Sequence, residues 1–83
     1  MKLVYFAWVR ERIGKAEEEI ELPAHVGTAA DLLKWLREQG EEYRHALERP
    51  EFIRVAIDHE HVAHDRPLAG AKEIALFPPM TGG

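Results

Sequence analysis

Thr28-Ala29-Ala30-Asp31-Leu32-Leu33-Lys34-Trp35-Leu36-Arg37-Glu38-Gln39-Gly40 is the stretch on which the fold turns. Ala29, Leu32, Leu33 and Leu36 fall at i, i+3, i+4 and i+7, which places them on one side of an α-helix as a single buried stripe. The Thr28 hydroxyl is a suitable N-cap, and Asp31, three residues on, suits the positive end of the helix. Gly40 is expected to stop it in a left-handed turn. Trp35 lies beside the stripe and reads as a rim residue covering the core edge. A helix with one apolar stripe needs an apolar layer to cover it, and the flanking sequence supplies strands.

Before the helix, Lys2 to Val9 is a β-branched and aromatic run ended by Arg10-Glu11-Arg12 and Gly14, which reads as a strand and a turn. Glu17 to Leu22 alternates polar and apolar and stops at Pro23, so a longish hairpin is expected. After the helix, Tyr43, Ala46 and Leu47 within Glu41–Glu48 make a short second helix. Ile53, Val55 and Ile57 alternate with Arg54 and Ala56 in a strand over Phe52–Ile57. Asp58 to His61 is turn-like, a short strand around Val62 follows, and Pro67 and Gly70 mark a loop. Glu73–Phe77 is a last strand, with Ile74 and Leu76 on one face and Ala75 and Phe77 on the other.

The order is two strands, a helix, then two or three strands. That predicts an α+β fold, a mixed four- to five-stranded sheet with one main helix on one face and a short second helix. First and last strands can pair in parallel at the sheet centre. This is the β-grasp, ubiquitin-like arrangement. Residues 1–77 are expected to form the domain and 78–83 a flexible C-terminal tail.

Composition limits the function classes. The 83 residues suffice for one small core. Hydrophobic content of 46% and charged content of 31% are those of a globular domain. There is no apolar run of membrane-span length and no signal-like segment, so a cytoplasmic protein is expected. The absence of cysteine excludes disulfides, thiolate catalysis and iron–sulfur clusters. A net charge of −4 argues against nucleic acid and for protein or small-molecule partners.

The chemistry is concentrated at the end, Leu76-Phe77-Pro78-Pro79-Met80-Thr81-Gly82-Gly83. Without Cβ atoms, Gly82 and Gly83 can thread a tunnel too narrow for other residues, with the terminal carboxylate as the reactive group. Pro78 and Pro79 end the strand and hold the chain extended, projecting Met80 and Thr81 with the diglycine. At average glycine usage, about 7%, a terminal pair arises by chance in roughly 0.5% of chains, so an idle tail is the weaker reading.

If Leu3, Tyr5, Ala7 and Val9 face the helix, then Val4, Phe6 and Trp8 face away, beside Ala75 and Phe77. The result is an exposed apolar patch at the tail exit, a docking surface. His59, His61 and His64, interleaved with Asp58, Glu60 and Asp65, have the residue types of a metal site, but an exposed charged hairpin tip accounts for them, and no metal is expected. Asp31, Asp58 and Asp65 are expected at helix ends and turns. No nucleophile motif or phosphate loop is present, so the chain is not expected to be an enzyme by itself.

Phe77-Pro78-Pro79-Met80-Thr81-Gly82-Gly83, with Val4-Tyr5-Phe6-Ala7 and Val9-Arg10-Glu11 at the other end, resembles the small subunit of molybdopterin synthase, the sulfur-carrier family of ubiquitin-like fold. The likeness spans essentially the whole chain, with its specific part at the two ends. It implies that Gly83 is adenylated by an ATP-dependent activating enzyme and converted to a thiocarboxylate. A cysteine desulfurase or a rhodanese-like protein would be the sulfur donor. The tail, Gly82 included, would then enter the large synthase subunit, in an expected heterotetramer, and give its sulfur to cyclic pyranopterin monophosphate in molybdenum cofactor biosynthesis. No bound cofactor is implied, only the transient glycyl adenylate and 1-thioglycine. Phe6, Phe77, Pro78, Pro79, Met80 and Thr81 would be partner contacts. So would His61, which stands where the family often has an aliphatic residue. The alternatives with the same fold and tail are a carrier for thiamine or tRNA thiolation and a modifier joined to lysines.

Overall fold

A computed structural model describes residues 1–79. Five strands, β1 (Lys2–Tyr5), β2 (Glu17–Glu19), β3 (Arg54–Ile57), β4 (Glu60–Val62) and β5 (Glu73–Phe77), form one mixed sheet in the order β2-β1-β5-β3-β4. β5 lies at the centre, parallel to β1 with Val4 opposite Ala75, and antiparallel to β3 with Ala56 opposite Ala75. Three helices, α1 (Ala7–Ile13), α2 (Ala29–Arg37) and α3 (Glu41–Ala46), share one core with Leu3, Tyr5, Val55, Ile74 and Leu76 from one face of the sheet and with Ile53 just before β3. The expected β-grasp architecture and central parallel pair are present.

The N-terminal cap and the buried stripe expected of α2 are present. The Asp31 N–H donates to Thr28 Oγ1 at 3.2 Å, and the Thr28 and Gly27 N–H groups both donate to Asp31 Oδ2 at 3.1 Å. Those backbone bonds hold the Asp31 carboxyl below its usual range. Ala29, Leu32, Leu33 and Leu36 are all buried, Trp35 is half-buried against the core, and Tyr43, Ala46 and Leu47 close the stripe from α3. The loop before β5 also braces α2, whose Ala29 and Ala30 N–H groups donate to the Arg66 and His64 carbonyls at 3.1 and 2.8 Å.

Three expectations need correction. The first strand ends at Tyr5, not Val9, because Ala7 adopts φ 52 and turns the chain into α1. Val9 and Ile13 are then buried as an i, i+4 helical pair, and Trp8 is half-buried against the core instead of facing away in the sheet. Second, β2 spans only Glu17–Glu19 of the expected Glu17–Leu22, and β3 only Arg54–Ile57 of the expected Phe52–Ile57, because Pro50–Phe52 form a 3₁₀ turn. Third, Gly40 is not a left-handed stop. α2 ends through Glu38 in ordinary helical geometry, and Gly40 is the extended N-cap of α3. The left-handed cap is instead Gly14, which ends α1 with φ 91.

A polar knot ties β1, β2 and α3. The Tyr5 and Tyr43 hydroxyls both donate to Glu18 Oε2, at 2.7 and 2.6 Å, and Lys15 Nζ donates to Oε1 at 3.3 Å. Burial pushes the Glu18 carboxyl up, but the bonds from Tyr43, Tyr5 and Lys15 outweigh it and hold the group below its ordinary value. Burial, reinforced by the Glu18 carboxylate, pushes the Tyr5 phenol up.

Candidate functional site

The chain leaves the body from the sheet centre. β5 ends at Phe77, and Pro78, with no N–H to offer, ends its hydrogen-bond ladder. Pro78 and Pro79 are half-buried. Met80, Thr81, Gly82 and Gly83, on which the reactive-tail reading falls, lie outside the described residues.

The face of the sheet turned away from the helices carries the side chains that alternate with the core. Val4 of β1, Ala75 and Phe77 of β5, Arg54 and Ala56 of β3 and His61 of β4 lie there, as their registers require. Phe6 extends the row from the end of β1. Its N–H donates to the Leu76 carbonyl at 3.1 Å, so its backbone is fixed beside the last turn of β5. Phe6 is 47% exposed, one of two large hydrophobic residues so open among those described.

Holding Phe6 there requires the abrupt bend at Ala7. A left-handed conformation in a residue with a Cβ costs roughly 1–2 kcal/mol. In return, the apolar run splits between two jobs. Phe6 remains on the open face, while Val9 and Ile13 turn into the core.

His61 joins this face through a tight hairpin. Asp58 and His59 have φ 48 and 72, the two-residue turn that joins β3 to β4 and sets Ala56 opposite His61. The Asp58 carboxylate accepts from the Lys72 and Glu73 N–H groups at 3.0 and 2.9 Å, which fixes the turn against β5. The His61 ring then lies 5.2 Å from the Phe77 ring, tilted by 52°. Between their strands Ala56 is only 6% exposed, although it sits on the face without helices and outside the core cluster. Phe6, Phe77 and His61 therefore belong to one face, and the sheet positions them.

The other histidines go elsewhere. His64 Nε2 donates to the Ile53 carbonyl at 2.7 Å, and His59 lies 3.8 Å from Glu73. Among the described residues no three histidine or carboxylate side chains converge on a metal-sized site. Among the same residues no helix is long and apolar enough to cross a membrane.

Sequence reasoning missed a second feature at this end of the molecule. Trp8, Arg12, Ala46, Glu48, Arg49 and Phe52 surround an open concavity of about 330 Å³ between α1, α3 and the 3₁₀ turn Pro50–Phe52. Its one signal in the sequence is the Val9–Ile13 spacing, which marks α1 and so separates Trp8 from the strand.

Comparison with known proteins bears on the family and the fold. The ThiS family model matches residues 3–83. The molybdopterin synthase sulfur carrier subunit of Escherichia coli strain K12 is 34% identical over 83 residues, covering 100% of this chain and 99% of the relative. The crystal structure of SAMP1 from Haloferax volcanii superposes with a TM-score of 0.72 at 27% identity, covering 100% of this chain and 98% of that one. A putative molybdopterin converting factor subunit 1 from Pyrococcus furiosus gives 0.73 at 26% identity, covering 95% of each chain. With a family model matching residues 3–83 and a full-length relative at 34% identity, the chain belongs to the ThiS family, among the relatives of molybdopterin synthase sulfur carrier subunits.

Proposed function

We propose that the protein is the sulfur carrier subunit of a cytoplasmic molybdopterin synthase, a donor without catalytic machinery of its own. Residues 1–77 are the docking body and 78–83 the arm. The observation that carries the reading is the place of Phe77. It ends the central strand, packs its ring against His61 and shares a face with Phe6, directly before the two prolines that lead to the diglycine.

The chemistry follows from the carboxylate of Gly83. A carboxylate is a poor electrophile until one oxygen becomes a good leaving group, which adenylation by an ATP-dependent activating enzyme provides. The terminal sulfur of a desulfurase or rhodanese-like persulfide attacks the acyl-adenylate and displaces AMP. A second thiol then cleaves the resulting acyl disulfide, leaving a thiocarboxylate on the carrier and a disulfide on the donor. Its nucleophilic sulfur, on a stem without side chains, then reaches cyclic pyranopterin monophosphate in the large subunit of an expected heterotetramer. No resident cofactor is required. Phe6, Phe77, Pro78, Pro79, Met80, Thr81 and His61 are the contacts that seat the arm.

A second reading, a modifier joined to lysines, is favoured by the likeness to SAMP1, a small archaeal modifier protein. A carrier for thiamine or tRNA thiolation shares the same arm. Adding one residue beyond Gly83 tests the common element. Activation should be lost, because the carboxylate is displaced from the adenylating site. Full activation of the extended chain would contradict the terminal-carboxylate mechanism.

A further inference from the structure

We propose that the concavity of Trp8, Arg12, Ala46, Glu48, Arg49 and Phe52 is a second docking surface, which takes an acidic segment of the subunit that receives the arm. The inference rests on the carrier reading and concerns a surface separate from the open sheet face.

Position is the first argument. α1 begins directly after Phe6, whose N–H is bonded to the Leu76 carbonyl, and Phe52 lies two residues before Arg54, which pairs with Phe77. Trp8 and Phe52 are thus each two residues from a partner of the end of β5. A protein that receives the arm must approach this end.

Composition is the second. Phe52 is 48% exposed, and with Phe6 it completes the pair of open large hydrophobic residues among those described. Arg12 Cζ lies 4.5 Å from the Trp8 ring centroid, and Arg49 Cζ lies 5.8 Å from that of Phe52. Neither guanidinium is within 4.0 Å of a carboxylate among the described residues, although Glu48 lines the same concavity. Lys2, Lys15, Arg44 and Arg66 are ion-paired, and Arg10, Lys34, Arg37, Arg54 and Lys72 are, like Arg12 and Arg49, more than 4.0 Å from any carboxylate among the described residues; Arg12 and Arg49 differ in lying over aromatic rings at one concavity. A guanidinium resting on an aromatic ring keeps its N–H edge for an incoming carboxylate, and the ring limits the entropy lost when that bond forms. Two such groups around an apolar floor fit a short segment with an acidic residue beside an aliphatic or aromatic one.

The test is calorimetric titration of the full chain into the large subunit at low and high salt. The variants are Arg12→Gln/Arg49→Gln, the charge reversal Arg12→Glu/Arg49→Glu, Phe52→Ala and Phe77→Ala. The neutral double variant should bind at least tenfold more weakly at low salt, the reversal more weakly still, and the gap should shrink at high salt. Phe52→Ala should also lose about tenfold. Both arginine variants change exposed groups, and their thermal unfolding checks that they fold. If the two double variants bind within twofold of the unmodified chain at low salt while Phe77→Ala binds poorly, the concavity is not a docking surface and the carrier reading stands. Failure of the unmodified chain to bind the large subunit at all overturns both.

Discussion

Phe77 is the residue on which the docking argument is most exposed to test. Its ring is half-buried against His61 in the free protein, so a partner that covers it meets a preformed surface. As a buried interface anchor it should be worth about 2 kcal/mol or more, and Phe77→Ala should weaken binding to the large subunit accordingly. Unchanged affinity for both the large subunit and the activating enzyme would remove the apolar face from the account. Glu18 makes a separate prediction about stability. Its folded-state carboxyl lies below its ordinary value. Its contribution is therefore complete above the ordinary glutamate range and disappears as pH falls through the folded value. Glu18→Gln should lower stability at neutral pH by about 1–2 kcal/mol and flatten the acid limb of the stability profile. Asp31, also shifted down, titrates on the same limb, so the comparison is between variant and parent at each pH.

At the scale of elements, α2 is set by local chemistry, with its cap, stripe and first-turn acid lying within nine residues. Thr28→Ala should cost about 1 kcal/mol in urea unfolding, because the Asp31 N–H loses its acceptor. An unchanged midpoint would mean that the brace from Arg66 and His64 carries the helix end alone. Locality also explains what could be read from the sequence. The α2 stripe, the last strand and the exposed alternation of Phe6 and Phe77 needed no knowledge of distant residues. The end of β1 did. Trp8 and Val9 have strand-like side chains, and only the left-handed bend at Ala7, where glycine would be the usual choice, sends them into a helix. Gly14 and Gly40 show the same limit. Both can end a helix, but only the fold decides which adopts positive φ. The tilted contact of His61 with Phe77 depends on the register imposed by the Asp58-His59 turn, and the arginine-lined concavity depends on α1, so neither geometry was legible in advance.

For the whole molecule, the parallel pairing of β1 with β5 organises both core and function. It joins the first and last strands at the sheet centre, so β5, which precedes residues 78–83, is fixed on both sides by backbone hydrogen bonds. A load on the arm is thus borne by the sheet and not by a fraying edge. Together with the β3–β5 and β3–β4 pairings, the β1–β5 pairing brings Phe6, Phe77, His61 and the arginine-lined concavity to the end of β5, where a receiving protein would arrive on the proposed reading. On the proposed reading a body that presents and an arm that reacts are separate parts, and the absence of cysteine leaves the arm as the natural place for sulfur. The most direct test is intact mass after incubation with ATP, an activating enzyme and a sulfur source, followed by alkylation. Since no side-chain thiol competes, the account predicts one alkyl adduct, mapped to Gly83. An unmodified Gly83 under conditions that charge a known carrier, or an arm recovered only in amide linkage to lysines, would contradict it.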